Sequence, residues 1–309
     1  GTPLWCDANH ARAACFVSSA GVPGAHRHQQ IIATEMTMRL LASRTSRRAQ
    51  TTLAVPFGRP FSLGTMRLEL FPAGSSLGAA SLAVTTERER IVYAGTVRTE
   101  PGGLGDVAEV RPGDVLVIDA AFADARFPPR SVVEENLRRW LTATIADGAT
   151  PLVLCDLSGN ALALLASLAS DYPIRAHRSI ISAARAAMSM GIDLPRVREL
   201  RGLPVAGEVV LWPVTAHAAR ALATKQRRLA AVGAWALNFA TTAAAEIDAC
   251  FPLRDGLDRE QLIAYVAATG AREVYCLNGT DALAFALTRG CKGVTARLLG
   301  PPRQLPLFT

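Results

Sequence analysis

Long apolar runs are missing from these 309 residues, although half of them are hydrophobic. The stretch Ala161–Ala169 is mostly apolar, yet far short of the roughly 20 residues that cross a bilayer as a helix, so no membrane span is expected. Cysteine is sparse, at positions 6, 15, 155, 250, 276 and 291, with no CxxC pair. That spacing offers no metal knuckle, and in a chain of this size free, buried thiols are expected. The amino end lacks a basic segment followed by an apolar one, so no secretory signal is expected and the cytoplasm is the default. Cys155 has no histidine near it in sequence to serve as a base, and no GxSxG elbow occurs. Residues 101–105, PGGLG, are glycine-rich, but no Lys-Ser/Thr follows, so a surface loop is expected and not a phosphate cradle. Lysine is nearly absent: almost every basic residue is arginine, and the net charge is +7. That surplus suits a polyanionic partner, although arginine-rich codon usage produces the same excess.

Strand and helix signals alternate along the chain. Residues 65–71 alternate with Met66, Leu68 and Leu70 on one face. Further strands are predicted at 80–85 and 90–94 about the charged turn Glu87, Arg88, Glu89, and at 114–118 as a run buried on both faces. Ser131 with Glu134 reads as a capping box. It opens a helix whose face is Val133, Leu137, Trp140, Leu141 and Ile145, ended by Gly148. A second α/β stretch follows from Pro151 to about Val232, with strands near 152–154, 174–176 and 209–211. Asp258 with Gln261 caps another helix, closed by Gly270. Strand 273–277, helix 281–289 and strand 294–298 complete the pattern. The early part therefore reads as β-rich, hairpin-like and antiparallel, and the rest as α/β.

Six short segments, in order, carry a resemblance. Residues 15–19, CFVSS, with 31–34, IIAT, and Thr37 resemble the strand and helix around an HxHxDH motif. FPAGSSLGAA (71–80) resembles PAGHxLGSA, RIVYAGT (90–96) resembles a strand ending in YTGD, and DVLVIDAAF (114–122) followed by Phe127 and Pro128 resembles DVLVxEATF. FPLRDGLD (251–258) resembles FPLSDHAD, and VYCLNG (274–279) resembles VYLTHG. Together these are similar to the β-CASP group of metallo-β-lactamase-fold nucleases, most like the ligase-associated DNA exonucleases (mRNA 3′-end processing exonuclease-like). The resemblance implies an αββα sandwich formed by residues 1–134 and 233–309, with a β-CASP-like α/β lobe inserted at 135–232 and a nucleic-acid cleft between them.

What the resemblance implies about catalysis fails at its own residues. Such nucleases use two zinc or manganese ions, held by imidazole and carboxylate, to activate water. The HxHxDH ligands fall on Ser19, Gly21, Pro23 and Gly24; the PAGH histidine falls on Ser75, the GD aspartate on Thr96 and the THG histidine on Asn278. The histidine that assists the departing oxygen falls on Gly256. Glycine and proline have no side-chain donor, and neutral hydroxyl or amide groups replace imidazole poorly, so no metal cofactor is expected. His26 and His28 form an HxH pair but lack the following aspartate and histidine, which favours surface or capping roles. His177 and His217 have no partners at ligand spacing. Asp7, Asp119, Asp255 and Asp258 are retained acids, read as cap and loop acceptors. The competing reading makes them a rebuilt magnesium site of an active phosphodiesterase or exonuclease.

The expected function is that of a pseudoenzyme: a nucleic-acid-binding or scaffolding protein in DNA repair or RNA metabolism. Its expected partners are single-stranded DNA or RNA, with a DNA ligase, helicase or sliding clamp. Candidate phosphate contacts are Arg44, Arg47, Arg48, Arg126, Arg130, Arg227 and Arg228, the last two beside Lys225. The tail residues Gln304, Leu305, Leu307 and Phe308 are similar to a clamp-docking peptide, in which a Leu-Phe pair anchors an apolar pocket.

Overall fold

The computed structural model describes residues 4–45, 51–216, 226–237 and 247–300. It is a mixed α/β protein with three sheets and, among the described residues, six α-helices. Arg47, Arg48, His217, Lys225 and the tail residues Gln304, Leu305, Leu307 and Phe308 lie outside the described residues.

The amino-terminal strands are β1 (Leu4–Cys6), β2 (Ala14–Phe16), β3 (Gln30–Ala33) and β4 (Thr51–Ala54). All their pairings are parallel, in the order β1-β2-β3-β4, which corrects the expectation of an antiparallel start. These strands are three or four residues long, too short to display a period of two, so alternation could not reveal them.

A seven-stranded sheet holds the antiparallel run β5 (Phe61–Leu63), β6 (Met66–Pro72), β7 (Ala80–Thr85) and β8 (Arg90–Gly95), of which only β5 is not predicted, followed by β9 (Val115–Asp119), which pairs parallel to β8. Two late strands, β16 (Glu273–Leu277) and β17 (Thr295–Leu298), complete the order β17-β16-β9-β8-β7-β6-β5. Met66, Leu68 and Leu70 of β6 point inward and meet Phe16 and Ile32 from the first sheet, so the two sheets face each other. The helix α1 (Glu35–Arg44) supplies Met38 and Leu41 to the outer face of the first sheet. The outer face of the second is covered by α5 (Arg259–Thr269) and α6 (Asp281–Gly290) through Leu262, Tyr265, Val266, Leu283 and Leu287. Strand β7 is buried on both sides for this reason.

The capping box before α5 forms as expected. Gln261 donates its backbone N–H to Asp258 Oδ1 at 2.9 Å, and the N–H of Asp258 reaches Gln261 Oε1 at 3.4 Å. Gly270 closes the helix in the left-handed region, φ 67°. Replacing Asp258 with alanine is expected to cost about 1 kcal/mol; an unchanged urea midpoint would contradict this role. The capping box expected at Ser131 does not form. Helix α2 (Arg130–Ala146) begins after Pro129, two residues earlier than expected, and Arg130 takes Glu134 in an ion pair at 2.7 Å. The face Val133, Leu137 and Leu141 is nevertheless buried, with Trp140 and Ile145 packed beside it.

The third sheet is wholly parallel: β10 (Thr150–Cys155), β11 (Ile174–Ala176), β12 (Arg198–Glu199), β13 (Val209–Pro213), β14 (Arg227–Val232) and β15 (Ala249–Phe251). Their order is β12-β11-β13-β10-β14-β15. This sheet therefore takes in residues beyond position 232, where the sequence reading ends the lobe. Helices α2, α3 (Ala161–Leu168) and α4 (Arg178–Met188) cover one face, and their core continues into Ala20 and Leu40 of the amino-terminal part. His177 caps α4, its ring nitrogen accepting the N–H of Ser179 at 3.2 Å. Among the described residues no helix is long and apolar enough to cross a membrane.

Candidate functional site: a cleft at the strand ends

Ligand sites of parallel sheets collect at the carboxyl ends of the strands, where loops can carry function without disturbing the core. The ends of β1, β2, β8, β9, β10 and β16 open into one cleft of about 720 Å³. Its lining includes Ser19, Gly21, Pro23, Ser75, Thr96 and Asn278, six of the eight positions that the resemblance assigns to metal ligands or the assisting histidine. The other two lie outside the lining. Gly24 precedes a 3-10 turn (Ala25–Arg27) with φ 73°. Gly256 is buried, and a methyl group on it would stand 3.8 Å from the Thr96 side chain.

The retained acids have separate lives. Asp7 holds a left-handed backbone, φ 45°. It accepts the Ser18 N–H at 2.7 Å, the Ser18 hydroxyl at 2.6 Å and the Tyr93 hydroxyl at 2.9 Å. Burial raises its pKa above the ordinary carboxylate value, and those three donors partly offset the rise. Asp119 accepts the Thr96 hydroxyl at 2.7 Å, the Asn278 amide at 3.1 Å and the Ala121 N–H at 3.2 Å. Thr96 and Asn278, at two positions that the resemblance assigns to metal ligands, therefore spend their donors on the carboxylate between them. Asp258 serves its helix and lies outside the cleft lining.

Asp255 stands at the base of the cleft, beside a smaller cavity that contains Arg98 and Arg130. A methyl group on Gly159 would lie 3.2 Å from Asp255 Oδ2 and 3.3 Å from Asp156 Oδ2, so the two carboxylates converge on one point. Burial first, and Asp156 second, push the Asp255 carboxyl up to about 7, with Arg130 and Arg98 pulling the other way. Arg98 is only 5% exposed, and burial, then repulsion from Arg130, lowers its pKa. Its guanidinium donates to the carbonyl of Glu100. The glycine loop expected at the surface lies over these two arginines: Gly102 to Gly105 line the same cavity.

Among the described residues no three His, Cys, Asp or Glu side chains are grouped to hold a metal ion. The side-chain donors in the cleft include hydroxyls, amides and carboxylates with no imidazole among them, and Asp7 and Asp119 are already hydrogen-bonded, so they do not fit a dinuclear zinc or manganese centre. His26 and His28 give no alternative: of the surface or capping roles expected, His28 takes the second, buried at the C-cap of the 3-10 turn with its backbone N–H closing on Ala25. The thiols are unpaired, and burial raises Cys155 and pushes Cys15 and Cys276 up to about 11, which leaves them protonated and unreactive. Cys6 and Cys250 are only partly buried, against the expectation for the thiols.

The basic residues are distributed less simply than expected. Arg44 donates to the carbonyl of Ala20 and to Ser158 Oγ, tying the loop after β2 to the loop after β10. Arg228 pairs with Asp147 at 2.9 Å and Arg130 with Glu134, and Arg227 also has a partner. Arg126 is exposed with no ion pair among the described residues, outside the cleft lining. Asp156, Ser158, Tyr93 and Arg98 were missed by motif reading. The position of Asp156 at the carboxyl end of a buried strand was the one available signal.

No protein-family model matches the chain. A protein from Opitutus terrae named probable DNA ligase is 28% identical over 310 aligned residues, which take in 98% of this chain. The chain spans 30% of that ligase's length. A solved structure of a protein of unknown function from Enterococcus faecalis V583 superposes with a TM-score of 0.60 at 12% identity, covering 94% of this chain and 79% of that one. That likeness is one of fold alone.

Proposed function

We propose that the chain has the metallo-β-lactamase αββα fold with an inserted β-CASP lobe, and that it is a catalytically inactive homologue of β-CASP exonucleases. It acts as a nucleic-acid-binding or scaffolding unit beside a DNA ligase, at sites of DNA repair. The observation that carries this reading is Asp119, a carboxylate satisfied by Thr96 and Asn278 where a nuclease would place two metal ligands. Two facing sheets with helices on their outer faces agree with the fold assignment, and the name of the Opitutus terrae relative favours DNA over RNA. A rebuilt magnesium site would need the retained acids on one cation. Asp258 is instead committed to a helix end, while Asp7 and Asp119 are saturated with donors.

Protein purified without chelators is expected to carry less than about 0.1 equivalent of zinc or manganese. It should leave end-labelled single-stranded DNA intact with either ion added, yet bind it at low salt and release it toward about 0.5 M salt. Stoichiometric metal lost in Asp119→Ala, or nuclease activity abolished by that substitution, would overturn the proposal. Absence of DNA binding at low salt would remove its nucleic-acid arm.

A further inference from the structure

The third sheet ends at β12, which among the described residues pairs with β11 alone. Beside that edge, two adjoining hollows of about 550 and 390 Å³ share Ile181, Arg185 and Val197 and so form one groove. Its floor is apolar: Ile181, Ala184 and Met188 of α4, with Val197 from the approach to β12. At one end Leu203 and Val205 form a lip, each 64% exposed. Two large aliphatic side chains so open to water, next to an apolar trough, mark a surface built for contact.

The rim is basic. Five arginines line the groove against two glutamates, Glu199 and Glu208. Arg175 is paired with Glu208 at 2.7 Å and Arg201 with Glu199 at 3.2 Å. Arg185, Arg196 and Arg198 are exposed and have no ion pair among the described residues. Three uncompensated guanidinium groups thus stand around an apolar floor. Nucleic acid would meet the charge but leave the apolar floor and lip unused. An acidic segment with apolar side chains at intervals answers both features at once, carboxylates to the three free arginines and apolar groups to the trough, while Glu199 and Glu208 stay with their own arginines.

We infer that this groove is a docking site for a short acidic, amphipathic segment of a partner protein. The site lies on the lobe, apart from the cleft, and holds whether or not the cleft binds DNA. A probe is a fluorescein-labelled peptide of about twelve residues in which Asp or Glu alternates with Leu, beside the same peptide with Lys at every acidic position. The acidic peptide is expected to bind at least tenfold more tightly than the lysine one. Raising salt from about 0.05 to 0.5 M should weaken it roughly tenfold. Arg185→Glu and Arg198→Glu should each weaken it at least fivefold, and Met188→Asp tenfold. Arg185→Gln, a surface change that leaves the fold intact, should give an intermediate loss. Equal binding of the two peptides, no binding near 1 mM, or indifference to all the arginine substitutions would overturn the inference. So would a single-stranded oligonucleotide that displaces the peptide and shows the same arginine dependence, because the groove would then be a nucleic-acid surface.

Discussion

Replacing Gly74 with alanine is expected to destabilise the protein by about 3–5 kcal/mol, roughly a hundredfold or more in the folding equilibrium. Gly74 has φ 76°, a conformation in which a Cβ crowds its own chain. The surroundings make matters worse. A methyl group there would lie 2.3 Å from the carbonyl oxygen of Arg98, 2.7 Å from the amide nitrogen of Ala108 and 3.0 Å from the carbonyl oxygen of Asp106. All three are backbone atoms and cannot swing aside as a side-chain tip would. The segment 97–109 is laid against the end of β6 by hydrogen bonds from the N–H of Arg98 to the Ala73 carbonyl and from the N–H of Glu109 to the Pro72 carbonyl. Relief would have to come from displacing it, together with Ser75 and Ser76 on the cleft wall and Arg98 in the cavity beside it. Gly64 is the matched control: φ is 60°, but nothing lies within 4 Å of the added carbon, so Gly64→Ala should cost only about 1 kcal/mol. Denaturant titrations of the two variants should differ by several-fold in cost; equal losses would mean that the close packing around Gly74 does not matter.

Asp255→Asn is expected to stabilise the protein, and more so as pH rises. The carboxyl titrates at about 7 in the folded protein against an ordinary value of 3.8. Between those values the folded state holds a proton that the unfolded chain has released. Stability therefore falls as pH rises from about 4 to about 7, and the whole cost is present above that. Asparagine removes the titration. The expected gain is on the order of a few kcal/mol near pH 8 and close to zero near pH 4. Urea midpoints of both proteins at about pH 4, 6 and 8 measure it. A variant less stable than the parent near pH 8 would show that the carboxylate is needed as counter-ion to the two arginines.

How far the architecture can be read from residues depends on how local its causes are. Met66, Leu68 and Leu70 alternate because one face of β6 is buried and the next residue is not, so the strand declares itself. Asp258, Gln261 and Gly270 act within a single helix, and the cap forms as read. Ser131 and Glu134 carry the same local pattern, but Pro129 and Arg130 compete for the helix start and for the carboxylate, and the nearer partner prevails. Strands β1 to β4 owe their existence to pairing across many residues and show almost no local signature. The cleft divides similarly. Ser19, Ser75, Thr96 and Asn278 could be placed together because each lies in a recognisable segment. The convergence of Asp156 with Asp255, and the clamp from Arg44 to Ser158, join residues about a hundred positions apart with no motif to flag them.

The late arrival of β15 has a bearing on how this lobe can pass between proteins. A lobe cut at position 232 would end with β14, whose outer edge pairs with Ala249–Phe251 in the intact chain. The truncated piece would present a fresh row of unpaired amide and carbonyl groups, a template for joining one molecule to the next. Phe251 and Leu253 would also leave the core shared with α2, α3 and α4. Transplanted alone, residues 135–232 should therefore aggregate, and any gene fusion or swap that moves the lobe intact must carry the segment through Leu253 with it.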